Sequence, residues 1–266
     1  MEADWFTYWF MFPIALVIAI LANSSGFSGG VLFQPIINLF LSIQIQTSVA
    51  TGIATETVGM SSGAAQYFWQ KKVEKEVGLV LVMLTIPGVV LGTHILLVVD
   101  ANILRFFLGL VIITIAVMQF LTATQGKFGN REDLPVEDVY PYMWLPILGG
   151  FFSATTGTGI CETSQPLLER GLKVKTRRAN ATAIWVEAMG DWIITILNLQ
   201  AGLIDWKILL YTGTGVIIGG QIGPVVAKYL PEKALKIIFS IAIIIVGVFY
   251  VLKGGAFIMK KIGVLE

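Results

Sequence analysis

Two short stretches hold groups that could bind an anion inside an otherwise apolar chain. The first reads Gly26-Phe-Ser-Gly-Gly-Val-Leu-Phe-Gln-Pro35 and the second Gly157-Thr-Gly-Ile-Cys-Glu-Thr-Ser-Gln-Pro166. Proline inside a helix removes a backbone donor and clashes with the preceding turn, so each stretch predicts a short, broken helical segment. A break exposes N–H groups at a new helix N-terminus, which carries roughly half a positive charge. Glycine lets a ligand approach those groups closely. The candidate binding residues are Ser25, Gly26, Ser28, Gly29, Gly30 and Gln34 in the first stretch, with Pro35 as the break. Thr156, Gly157, Thr158, Cys161, Ser164 and Gln165 are the candidates in the second, with Pro166 as the break. These neutral donors suit a small oxyanion.

Carboxylates supply the second kind of chemistry. From Trp5 to Gln70 the single charged residue is Glu56, and Glu187 lies as deep in its own apolar run. An ionised carboxylate at such a depth costs at least ~2.5–3.5 kcal/mol. Glu187 and Asp191 are four apart, on one helix face. Two readings stay open for Glu56, Glu187 and Asp191. They couple anion passage to a proton or cation, or they tie their helices to a neighbour's backbone by hydrogen bonds.

The elements that must position these groups are membrane helices. Of the 266 residues, 56% are hydrophobic and 13% charged, against about 25% charged in soluble domains. The runs 77–99, 106–126, 140–161, 208–227 and 237–252 contain no Asp, Glu, Lys or Arg, and about 20 apolar residues span the hydrocarbon core. This predicts an all-α polytopic membrane protein retained in the cell (inner) membrane. Glu2 and Asp4, with no basic residue beside them, are wrong for a signal peptide. A net charge of +1 argues against a nucleic-acid partner. One cysteine allows no internal disulfide, and one histidine allows no multi-histidine metal centre. No cofactor, metal or catalytic residue is expected.

The chain is written twice, at an offset of 131. Gly26, Gln34, Pro35, Ala50, Thr51, Ile53, Glu56 and Gly59 meet Gly157, Gln165, Pro166, Ala181, Thr182, Ile184, Glu187 and Gly190. Each copy predicts five helical segments, near 5–23, 26–41, 48–69, 76–98 and 103–121, then 140–154, 157–170, 178–199, 206–228 and 233–252. Repeat 1 is taken as 1–125, a polar linker as 126–139, repeat 2 as 140–253 and a tail as 254–266, within one transmembrane domain. Basic residues fall in opposite members of paired loops. Lys71, Lys72 and Lys75 face a partner loop holding Asp205, while Arg170, Lys173, Lys175, Arg177 and Arg178 face an uncharged one. The positive-inside rule then makes the repeats inverted. Lys253, Lys260 and Lys261 fit that orientation poorly, and re-entrant second segments would give a parallel repeat instead. Inverted repeats with Gly/Pro-interrupted segments at matching positions point to a transporter's midplane site.

The motif Gly26-Phe-Ser-Gly-Gly-x4-Pro35, its weaker copy around Pro166 and the Ala-Thr pairs that follow resemble the TauE/SafE sulfite exporters, also called the toluene-sulfonate uptake permease family. The resemblance covers both halves. It implies movement of a small sulfur-containing oxyanion such as sulfite, thiosulfate or a short organosulfonate across a lipid bilayer, with outward transport expected. Glu162 and Cys161 depart from the glycine-rich pattern in the second copy. The residues also admit a passive anion channel of the same fold. A further alternative is an intramembrane serine protease, with Ser28 in a Gly-x-Ser-Gly setting and His94 as base; Gly159 in place of a second serine argues against it.

Overall fold

The computed structural model describes residues 5–124, 129–131, 134–229 and 232–261, and among them regular structure is helical save one isolated β-bridge between Arg131 and Val174. A 3-10 turn, Trp5–Tyr8, precedes α1 (Met11–Ser25). Then come α2 (Gly30–Pro35), α3 (Ile45–Trp69), α4 (Lys75–Val98) and α5 (Ala101–Thr124). A second 3-10 turn, Val136–Tyr142, leads to α6 (Trp144–Thr156), α7 (Ile160–Pro166), α8 (Thr176–Gln200), α9 (Trp206–Val226) and α10 (Glu232–Lys261). α10 takes in the first part of the stretch expected as a tail.

The same local devices recur 131 residues apart. α1 ends at Gly26 and α6 at Gly157, both left-handed, with φ of 77° and 63°. Their N–H groups close the ends on Ala22 O at 2.9 Å and Ser153 O at 2.7 Å. Beyond Pro35 and Pro166, α2 and α7 each loosen into one π-helical turn, Ile36–Phe40 and Leu167–Gly171. A missing proline N–H removes the bond that would hold α-geometry there. Ser42 and Lys173 both have positive φ, as do Lys71 and Gly202.

Contacts between the halves are reciprocal. The N–H of Glu74 donates to Thr182 Oγ1 at 2.9 Å, and that of Asp205 donates to Thr51 Oγ1, also at 2.9 Å. Glu74 follows α3 and Thr182 opens α8; Asp205 follows α8 and Thr51 opens α3. The two counterpart helices therefore run antiparallel. α4 packs on α6 as α9 packs on α1, and glycine makes both approaches close. A Cβ on Gly92 would lie 2.5 Å from Phe151 O, and one on Gly219 would lie 2.6 Å from Leu16 O. Small residues let membrane helices touch backbone to backbone.

Polarity runs inside out relative to a water-soluble protein. Leu79, Met83, Leu91, Leu110, Ile217 and Ile245 are exposed, whereas Gln34, Glu56, Thr85, Ser153, Glu187 and Asp191 are buried. A lipid surround requires polar groups to find partners within the protein. α4 and α9 are each long and apolar enough on their own to cross a bilayer. Trp9, Trp144 and Trp206, near helix ends, are more than half exposed, as interfacial anchors are.

Candidate functional site

The two breaks meet in the interior, and what fills them is carboxylate. Gly30, the first residue of α2, donates its N–H to Glu56 Oε2 at 2.9 Å. Cys161, its counterpart near the start of α7, donates its N–H to Glu187 Oε2. Glu56 and Glu187 stand on α3 and α8, the helices that follow each break. Each of these two backbone donors is thus held by the acid of its own repeat. This is the helix-to-backbone tie, one of the two readings the sequence left open.

A third carboxylate crosses between repeats. Glu162 accepts the Ser28 N–H at 2.9 Å on Oε1, and the Ser28 hydroxyl at 2.9 Å on Oε2. Its Oε2 also accepts the N–H of Gly159, at 2.7 Å. Sequence reading noted Glu162 only as a departure from pattern. The available signal was Gly159-Ile-Cys-Glu162, since a glutamate at the third helical position commonly reaches back to the residue before the helix.

Hydroxyls link the acids into a chain. The Ser28 hydroxyl also lies 3.0 Å from Glu187 Oε1, and the Ser153 hydroxyl lies 3.3 Å from Glu187 Oε1 and 3.4 Å from Asp191 Oδ1. Each hydroxyl has one proton to donate. A serine between two carboxylates can give that proton to one of them and must accept from the other, so the arrangement has places for carboxyl protons. Glu56, Glu187 and Asp191 each offer an oxygen within 4.8 Å of the others, a spacing that would also suit a cation. Glu56 Oε1 and Asp191 Oδ2 have no hydrogen-bond partner. Carboxylates this close in apolar protein repel strongly unless a proton or cation sits among them. Ser153 had no signal in the sequence, because its counterpart is Ala22.

The remaining expected residues divide by where their polar atoms go. Gln34 reaches across the repeats and donates to Thr156 O, beside Gly157. Gln165 lies beside Gly26 in return, but its amide donates to Glu169 at 2.9 Å. Ser25 and Thr156 turn their hydroxyls back to Leu21 O and Phe152 O, four residues earlier, as helical serine and threonine do. Thr158 Oγ1 and Ser164 Oγ are buried without partners. Gly29 contributes its carbonyl, which accepts the N–H of Leu32 at 3.0 Å. Every residue of both breaks from Ser24 to Gly30 and from Thr155 to Cys161 is buried, so the site is sealed in this conformation. A groove of about 430 Å³ between α5, α6 and α7, walled by Phe107, Trp144 and Phe152, ends on Glu162 and Thr163. His94 is exposed on α4, while Ser28 is fully buried against carboxylates. The Ser28–His94 pair a protease would need is not formed.

The family model for the sulfite exporter TauE/SafE matches residues 11–250. A protein of Bacillus subtilis (strain 168), named "Probable membrane transporter protein YunE", is 20% identical over 262 residues, covering 89% of this chain and 96% of its own length. No solved structure matches the chain.

Proposed function

We propose how this protein works from one premise: the chain belongs to the sulfite exporter TauE/SafE family and is a membrane transporter. Its cargo is a small sulfur-containing oxyanion, sulfite, thiosulfate or a short organosulfonate. It carries that cargo outward across the cell (inner) membrane by alternating access between inverted repeats. The antiparallel course of α3 and α8 supports the inverted reading, with repeat 1 over 1–125 and repeat 2 over 140–253 as the moving halves.

The observation that carries this reading is the matched pair of ties, Gly30 N–H to Glu56 and Cys161 N–H to Glu187. A carboxylate is itself a small oxyanion with two acceptor oxygens. It stands where a substrate oxygen would stand, and an ionised side chain there keeps a second anion out. Protonation removes the repulsion and weakens the tie, since hydrogen bonds to charged groups contribute about 1.5–3 kcal/mol against about 0.5–1.5 kcal/mol for neutral ones. The N–H groups of Gly30 and Cys161 are then free to hold substrate, beside the unpartnered hydroxyls of Thr158 and Ser164. The chain Glu162–Ser28–Glu187–Ser153–Asp191 is a route for the proton. Anion and proton occupy the site together and leave together. A divalent oxyanion accompanied by one proton still carries net negative charge, so an inside-negative potential drives it outward by about 2.3 kcal/mol per charge per 100 mV.

Counterflow of radiolabelled sulfite and thiosulfate in proteoliposomes tests the reading, with sulfate and taurine as competitors. Saturable exchange accelerated from the trans side is the expected result. Flux that never saturates and shows no trans effect would make the protein a channel. No flux of either anion would remove them as cargo.

A further inference from the structure

One end of the molecule gathers cations around a hollow that the transport mechanism does not use. The hollow has a volume of about 530 Å³ and is lined by Lys71, Lys72, Gly129, Lys175, Thr176, Arg177 and Arg178. That size lies within the ordinary range of ligand sites, about 300–1,000 Å³. Two basic stretches and Gly129 build it. Lys71 and Lys72 form the turn after α3, Lys175 precedes α8, and Thr176, Arg177 and Arg178 are the first turn of α8.

The fold does not require this charge. The counterparts of Lys71, Lys72, Lys175, Arg177 and Arg178 in the other repeat are Gly202, Leu203, Gln44, Gln46 and Thr47, all uncharged. The same turn and helix start form there without a cation. A preference for basic loops on one side of the membrane explains lysines near this end, but not their convergence on one hollow.

Local physics opposes the arrangement as it stands. A helix N-terminus is positive and favours acids, yet the first turn of α8 has two arginines and no acid. Lys71 sits at φ 55°, where its counterpart is glycine at φ 69°. A side chain in that region is strained, and such strain persists where something else compensates it. Arg178 pairs with Glu74. Burial pushes the Glu74 carboxyl up from its ordinary value, against the pull of Arg178. Thr176 Oγ1, at the wall, has no hydrogen-bond partner. Close by in sequence, Arg131 N–H donates to Lys173 O at 2.9 Å.

We infer that Lys71, Lys72, Lys175, Arg177 and Arg178 form a binding site for a multiply charged phosphate group. Phosphate combines dense negative charge with several acceptor oxygens, and arginine binds it in bidentate fashion. Two sources share this chemistry, the headgroup of an anionic phospholipid and a soluble phosphate compound. Basic pockets beside membrane helices take lipid headgroups by this means.

The test uses the full chain purified in neutral detergent. Binding is followed by thermal shift and native mass spectrometry, titrating cardiolipin, phosphatidylcholine and inorganic pyrophosphate separately. Cardiolipin or pyrophosphate should bind and stabilise the protein, and phosphatidylcholine should not. Pyrophosphate binding identifies a soluble ligand; cardiolipin alone identifies a headgroup site. The double variant Lys71→Gly, Arg177→Gln takes the residue types of the other repeat. It should weaken binding roughly thirtyfold, about fivefold per cation removed. Its unliganded melting temperature should stay close to that of the wild type, because relief of the strained lysine offsets loss of the exposed bond from Arg177 to Lys228 O. Arg177→Gln alone, read the same way, covers failure of the double variant to fold. Equal binding of cardiolipin and phosphatidylcholine with no pyrophosphate binding, or undiminished binding in a folded variant, would overturn the proposal.

Discussion

Ser28 and Glu162 are 134 residues apart and belong to different repeats, yet Ser28 gives both its N–H and its hydroxyl to the two oxygens of Glu162, each at 2.9 Å. This bond pair joins the break of one half to the start of α7 in the other. Relative movement of the halves must stretch or break it, so the pair belongs to the sealed state.

Ser28→Ala leaves the N–H bond and removes the hydroxyl that bridges Glu162 and Glu187. We expect a loss of about 1–3 kcal/mol in stability, read as a lower melting temperature, with substrate binding weakened modestly and proton movement slowed, because the hydroxyl links Glu162 to Glu187. Undiminished proton movement in a folded Ser28→Ala protein would remove this hydroxyl from the proton route.

Glu162→Gln should be more damaging than Ser28→Ala. Glu162 accepts from Ser28 N, Ser28 Oγ and Gly159 N, and a glutamine amide must turn donors toward at least one of them. A melting temperature above that of Ser28→Ala would contradict this.

Gly26→Ala and Gly157→Ala test the break geometry. Both positions have left-handed φ, which costs a side chain about 1–2 kcal/mol. Each would also meet a neighbour, Asn180 and Gln165 at Gly26 or Gln34 at Gly157. Gly202→Ala has the same backbone strain at φ 69° but nothing within 4 Å. Denaturation should rank Gly202→Ala as the mildest of the three.

The repeat packing makes a paired prediction. Gly92 meets Phe151 O and Gly223 meets Ile20 O, counterpart contacts at an offset of 131. Leucine at either position should separate its helix pair and destabilise the protein to a similar degree, by several kcal/mol on the scale of overpacked cores. A benign effect at one site and a severe one at the other would contradict equivalent packing.

Much of the helical frame was legible because each half repeats the other's punctuation. The segments expected at 48–69 and 178–199 are α3 (Ile45–Trp69) and α8 (Thr176–Gln200). The first segment was expected from residue 5, but α1 starts at Met11. Pro13 marks that start, since a proline in the first turn loses no intrahelical bond. The breaks showed in Gly26, Pro35, Gly157 and Pro166, and the acids showed as lone charges in apolar runs. Their meeting was not legible. Gly30 and Glu56 are 26 residues apart, as are Cys161 and Glu187, and only the fold of α2 against α3, and α7 against α8, brings them together. Ser25 looked like a site donor because sequence cannot show which way a helical hydroxyl turns.

The most direct measurement follows proton movement with substrate flux. Proteoliposomes holding a pH-sensitive dye would be given the oxyanion that counterflow identifies, with the anion's own protonation subtracted. The wild-type protein is expected to move protons in the same direction as the anion. Glu56→Gln and Glu187→Gln, which mimic the protonated acids, should still exchange labelled anion while moving no protons. Proton flux unchanged in both variants, or anion flux with no proton movement in the wild type, would contradict the central claim that these two carboxylates yield the break donors to substrate by taking up protons.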